Sequence, residues 1–375
     1  MSAVSSIGRV GLPAGERYRV HPFSKEIRAA IKALKPDNWH GIAYLVKDYA
    51  VIACFIALPY LLGWWAYPVS VLMIGAHQRA LSTILHDSAH GVLAENRALN
   101  FVLGTFPTAW AIFQRHFAYR ISHVQTHHPY LGRVDTDPDL AFFVDEGVFT
   151  PMTPRRYIWR TVVLPILGSK TWAYMKYLVR NRYRYLMLRL TGRAGEEAAG
   201  KPASARPTTW RNRFDSIGFV VFWSTVIGVC AWSGLLLELV LFWVVPYLTS
   251  FHILGWFIEL SEHCSCTVGR GTDLFMARNR KSRHVEKWLT GINNDHHHLD
   301  HHLDPRTPFW LLPKAHEIRM ADPDYARHCA ETGGLFQKGP AGEPSILSLI
   351  LAQNGERLAG REQTASTPAS APASA

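Results

Sequence analysis

Cysteine is scarce in this 375-residue chain: five residues, Cys54, Cys230, Cys264, Cys266 and Cys329. An odd, scattered set excludes a disulfide framework. Cys54 and Cys230 lie in apolar runs and are expected to pack there. The pair Cys264-Ser265-Cys266 lacks the Cys-x-x-Cys spacing common in zinc sites and is expected to have no metal role. Charge is also sparse, at 18% of residues, and acids are fewer than bases, 29 against 40. A basic chain can meet nucleic acid or an anionic membrane leaflet. No zinc-finger, helix-turn-helix or RNA-binding signature is present, so nucleic acid is not an expected partner. The first 40 residues hold no apolar core, and a secretory signal is not expected there.

What the chain does have is long hydrophobic runs. Residues 49–65 carry no charge and would span about 25 Å as a helix. Trp64, Trp65 and Tyr67 form an aromatic belt at their end, and Pro68 suits the start of a second helix over 68–85. His77, Gln78 and Arg79 predict that the later half of this helix leaves the lipid. A second hairpin is predicted over 215–233 and 235–258, turning at Ser233-Gly234. The segment 155–213 holds fourteen Lys/Arg and only two acids, Glu196 and Glu197. The positive-inside rule then puts both termini and this segment in the cytoplasm. The expected fold class is all-α: an integral membrane protein with four transmembrane helices in two hairpins and a cytoplasmic helical cap. The cytoplasmic N-terminal segment covers 1–48, the membrane domain 49–316, a flexible insert 192–209, and a C-terminal segment with a disordered Ala/Ser/Pro/Thr tail 317–375. Residues 101–113 are too short to span and read as a re-entrant or surface helix, and residues 157–190 as interfacial.

Three histidine clusters stand on the expected cytoplasmic side: His86-x-x-x-His90, His123-x-x-x-His127-His128 and His298-x-x-His301-His302. Residues three or four apart share a helix face, so each cluster can aim its imidazoles at one point. A lone His-x-x-x-His is more often packing or surface. Three such clusters on one membrane face point instead to a metal site, and eight imidazoles are enough for more than one ion. The run His296-His297-His298 leaves the register open, with His297 able to replace His298. Asp87 and Asp300 lie inside clusters and could accept the second ring N–H of a ligand, or could face solvent.

The order HDSAH, HVQTHH and HLDHH around two hairpins, over about residues 45–316, resembles the membrane-bound fatty-acid-desaturase-like family. That resemblance implies an oxygen-dependent, non-haem diiron enzyme, with two Fe ions and O2 as co-substrate. It implies as iron ligands His86, His90, His123, His127, His128, His298, His301 and His302. It adds His263 as a ninth, where acyl desaturases of the family carry a histidine just past the fourth span. Glu259, four residues earlier, stands where those relatives have Asn; it could bind iron, hold a water or pair with an Arg. Asn294, four before His298, is a second polar candidate.

The resemblance makes desaturation the expected reaction, with a fatty acyl chain or lipid as default substrate. The alternatives are desaturation of a small specialised metabolite of the rhizobitoxine (enol-ether amino acid) type, and hydroxylation or ketolation of a lipid or carotenoid. No catalytic residue beyond the metal ligands is expected. The chain has no His-Pro-Gly-Gly haem segment, Gly-rich dinucleotide fingerprint or four-Cys iron–sulfur set. The expected electron source is therefore external, such as ferredoxin and its reductase. The expected location is a bacterial inner membrane with the active site facing the cytoplasm. A zinc hydrolase needs about three His and an open position, and the histidines here are too many for one. A metal-storage or sensor protein would lose function only gradually as imidazoles are removed.

Overall fold

The structure, a computed structural model, describes residue 12 and residues 17–133, 136–176, 209–264, 266 and 272–366. The expected insert, apart from Thr209, lies outside them, as do Asp135 and most of the tail. The described residues are helical, with one isolated bridge between Arg19 and Thr272 and no strand. The helices that position the site are α1 (Lys25–Lys32), α2 (His40–Leu62), α3 (Tyr67–His90), α4 (Arg97–Gly104) and α5 (His116–Ser122). They are followed by α6 (Pro138–Asp145), α7 (Thr209–Trp232), α8 (Leu236–His263) and α9 (His298–Leu303). Helices α10 (Leu312–Arg319), α11 (Pro323–Cys329) and α12 (Ile346–Ser366) complete the set.

Among the described residues, three helices are long and apolar enough to cross a membrane: α2, residues Arg213–Trp232 of α7, and α8. Their outward faces are greasy; α7 exposes Ile217, Val220, Val221 and Ile227. Apolar surface of this kind is stable against lipid, and helices satisfy their own backbone there. The remaining expected span, 68–85, lies within α3, which has the length but carries His77, Gln78, Arg79, His86 and Asp87. That polarity is absorbed inside the protein. His77 Nδ1 lies 2.9 Å from Asp48, Gln78 donates to the Trp243 carbonyl, and Arg79 pairs with Glu259.

Helix α3 is the central element. It packs on α2 through Leu81, Ile84 and Leu85, in a core shared with Ile52, Trp110, Phe242 and Phe309. It crosses α8 at Gly75, where an added Cβ would fall 2.0 Å from Ser250 Oγ and 2.8 Å from the Phe251 nitrogen. Only glycine allows that approach. Helix α3 ends directly after His90, with Gly91 left-handed (φ 80°) and its N–H returned to Asp87 and Ser88. The turn between α7 and α8 sits where the sequence places it, with Gly234 at φ 75°. Cys54 departs from expectation: it is exposed on α2 rather than packed. The short helix α4 and the wide turn Thr105–Trp110 occupy much of 101–113, with Trp110 buried and donating to Asp215 on α7.

Candidate metal centre

Nine imidazoles converge where α3, α5, α8 and α9 meet. They form two adjoining groups. His86, His90, His123, His128 and His301 offer nitrogens that all lie within 4.8 Å of one another, as do those of His127, His263 and His302. His298 completes the second group: its Nε2 is 2.9 Å from Nε2 of both His263 and His302. The groups touch through His128 and His302, whose ring centroids are 4.3 Å apart.

The expectation that each sequence cluster aims at one point is corrected here. The first cluster does so, but the second and third divide between the groups. The cause is local backbone. Residues His123–His127 form a π-helical turn rather than an α-helical one. With wider turns, residues five apart come into line, so His128 joins His123 and His127 turns to the second group. On α9, His301 and His302 are adjacent and point to different groups.

The register at His296–His298 also has a geometric answer. His298 enters the second group, whereas His297 faces Asp300 at 3.6 Å, with its ring centroid 5.2 Å from that of His316. Asp300 does not orient an imidazole of either group, as it lies on the opposite side of α9. It is fully buried and accepts from Arg319 (2.6 Å), Asn279 (2.7 Å) and Tyr325 (2.8 Å), which anchor α9 to α10 and α11. His297, Asp300 and His316 form a small separate cluster. Asn294 donates to the Phe309 carbonyl and holds the loop before α9. Glu259 pairs with Arg79 at 3.2 Å and belongs to neither group. No described cysteine joins either group.

The outer nitrogens show what the inner ones are for. His127 Nδ1–H donates to Asp137 at 2.8 Å, and His263 Nδ1–H to the Met276 carbonyl at 3.0 Å. His86 Nδ1 lies 3.2 Å from Asp87, and His298 Nδ1 3.4 Å from Glu262. Asp87 is thus within reach of the His86 ring, and its other oxygen accepts from the Phe309 N–H at 2.7 Å. A proton held at Nδ1 leaves Nε2 as a lone pair facing inward, the tautomer a metal ligand needs. His90 and His127 have a buried Nε2 with no hydrogen-bond partner. Burial and neighbouring imidazoles hold His123, His128, His298, His301 and His302 well below the usual histidine range, so they are neutral donors. His127 differs: burial lowers it, but Asp139 and Asp137 outweigh that and raise it to about 9. A cation there would displace a proton. Two adjacent, largely half-buried, all-imidazole groups can hold two transition-metal ions. They are unlike the carboxylate-rich sites of soluble diiron bundles.

Sequence reasoning missed Asp137, Glu262 and Met276. Asp137 had a visible signal: it caps α6, accepting from the Asp139 N–H, and stands ten residues after His127.

A cavity of about 880 Å³ opens on the centre, lined in part by His86, His123, His127, His263, His298 and His301. Its wall mixes aromatic rings with charge, including Arg79, Lys170, Glu259 and Asp295.

The fatty acid desaturase family profile matches residues 62–333. The chain is 45% identical over 341 residues to dihydrorhizobitoxine desaturase of Bradyrhizobium elkanii, covering 90% of this chain and 92% of that protein. It is 27% identical to the sn-1 acyl-lipid omega-3 desaturase (ferredoxin) of Synechocystis, over 83% of this chain and 84% of the relative. It is also 27% identical to the acyl-lipid omega-3 desaturase (cytochrome b5) of Arabidopsis thaliana, over 80% and 79%.

Proposed function

The chain belongs to the fatty acid desaturase family, and from that premise we propose that it is an oxygen-dependent diiron desaturase acting on a small, polar, amino-acid-type metabolite. The observation that carries the diiron reading is the pair of adjoining groups, five and four imidazoles, with inward lone pairs. The proposed iron ligands are His86, His90, His123, His128 and His301 for one ion and His127, His263, His298 and His302 for the other. The similarity to dihydrorhizobitoxine desaturase over nearly the whole length of both chains supports the small-metabolite reading. Charged side chains in the cavity wall support it independently.

The need for metal follows from the bond. An unactivated C–H bond is beyond acid–base chemistry by side chains, so a bound iron pair would supply the oxygen chemistry that removes two hydrogen atoms. The residues of this chain do the rest. Asp137, Asp87, Glu262 and the Met276 carbonyl fix the ring orientation of their histidines. Burial of His127, His301 and His302 keeps bulk water from the centre. The cavity, which reaches histidines of both groups, would hold the substrate against the centre.

In this reading α3 is the fourth span, paired with α2, and the centre lies on the cytoplasmic face of a bacterial inner membrane. Electrons come from an external donor of the ferredoxin type. The default acyl-lipid substrate keeps a second place, because omega-3 lipid desaturases are among the relatives and aromatic rings also line the cavity.

The test is product analysis in a bacterial host supplied with ferredoxin and its reductase. Cells carrying the wild type or His301→Ala are fed dihydrorhizobitoxine, and both small molecules and total fatty acids are examined by mass spectrometry. A wild-type-dependent product two mass units below dihydrorhizobitoxine supports the proposal. A new double bond in acyl lipid alone moves the assignment to the lipid reading.

A further inference from the structure

One ion pair in the cavity has no role in holding the metal centre. Arg79 reaches from α3 to α8, where its Nη1 lies 3.2 Å from Glu259 Oε1. Both helices also supply imidazoles to the centre, α3 through His86 and His90 and α8 through His263. The arginine is placed with care. Its guanidinium lies 5.3 Å from the Phe251 ring centroid and crosses α8 at Gly255, where an added Cβ would stand 3.2 Å from Nη1. Glu259 keeps half of its side chain exposed, 49%, towards the cavity. The other acids around Arg79 are engaged elsewhere: Glu262 and Asp295 both clamp Arg280 at 2.7 Å. His252, also in the wall, has a buried Nε2 with no hydrogen-bond partner.

An ion pair facing a hydrocarbon chain would be a liability. Both ions would be desolvated, and the chain would return nothing. A substrate with its own ammonium and carboxylate reverses that balance. The carboxylate can share the Arg79 guanidinium, and the ammonium can take the exposed oxygen of Glu259.

We infer that Arg79 and Glu259 form a recognition pair for the zwitterionic end of a free amino-acid substrate, with Arg79 binding its carboxylate and Glu259 its ammonium. The inference rests on the small-metabolite reading above and names the residues that would make it specific. They position substrate and take no part in hydrogen removal.

The test is calorimetric binding of dihydrorhizobitoxine to the full-length protein in phosphatidylglycerol nanodiscs, for wild type, Arg79→Gln and Glu259→Gln. Iron content and thermal transition of each variant confirm an intact fold. The expected result is a loss of affinity of about tenfold or more in each variant, as for a broken charge-assisted contact. A variant that no longer holds iron is replaced by Arg79→Lys or Glu259→Asp, for which the same direction is expected. Wild-type binding that both variants match within about twofold overturns the recognition pair and leaves the proposed function standing. No binding by wild type overturns both. Repeating the titration in phosphatidylethanolamine nanodiscs separates the two sources of a zwitterion. Unchanged affinity supports a free amino acid, and displacement by that lipid assigns the pair to a headgroup instead.

Discussion

Removing the carboxylate of Asp137 separates the metal-holding role of a side chain from its structural role. Asp137 is 2% exposed and does two jobs. It accepts the His127 Nδ1 proton at 2.8 Å, and it caps α6 while accepting from the Gly132 N–H at 3.0 Å. Loss of a partner that orients a ligating histidine costs about 10- to 100-fold in metal affinity, or about 1.4–2.7 kcal/mol. Loss of an N-cap costs about 1 kcal/mol of stability. Asp137→Ala should show both. Asp137→Ser should recover the cap, because a hydroxyl can still accept from the start of α6. It should not recover the affinity, because serine is too short to reach His127 and carries no charge. The assay is competition for ferrous iron with a coloured chelator, alongside thermal unfolding in detergent. Asp139 Oδ2 lies 3.2 Å from His127 Nδ1 and can replace part of the lost contact, which favours the lower end of the range. Wild-type iron affinity in Asp137→Ser would refute the claim that this carboxylate sets the His127 tautomer.

His298→Ala should lose iron from the second group, while His297→Ala, whose ring faces Asp300, should keep the full complement; elemental analysis distinguishes them. His127→Ala or His301→Ala should abolish product formation rather than grade it, as measured in the cell assay. Gly75→Ala would drive a methyl group into Ser250 and the Phe251 backbone and should cost about 1–3 kcal/mol; Ser250→Ala should rescue only part, since the backbone clash remains. His116, buried against Ser88, is pushed down to about 4 by burial and by Arg120. Below pH 6.5 the unfolded ring takes a proton that the folded ring refuses, so stability should fall as pH drops from 6.5 to 4. The full effect is on the order of 3 kcal/mol. His116→Phe should flatten that part of a melting-temperature profile against pH.

What the sequence made legible and what it hid divide along one physical line. The histidine clusters, the turn at Gly234 and the apolar runs are local patterns set by helix periodicity and chain direction, so they read directly. The division of the second cluster did not, because a π turn at His123–His127 changes which residues align and has no compositional mark. Asp300 looked like a partner of the metal ligands by proximity in sequence, yet about half a turn of α9 separates it from His298 and carries it to the opposite side. The polar stretch at 77–79 reads as a helix leaving lipid. Its partners Asp48, Trp243 and Glu259 stand 29 to 180 residues away, and only the fold brings them near. The Glu262 contact to His298 was hidden for the same reason.

The central claim is that two iron ions sit side by side in nine imidazoles. The most direct measurement is metal content with Mössbauer spectroscopy on protein purified from cells grown with iron-57. The account predicts two irons per chain, in two distinct high-spin ferrous environments after reduction, because the groups differ as five imidazoles and four. A single zinc per chain and no iron would contradict it.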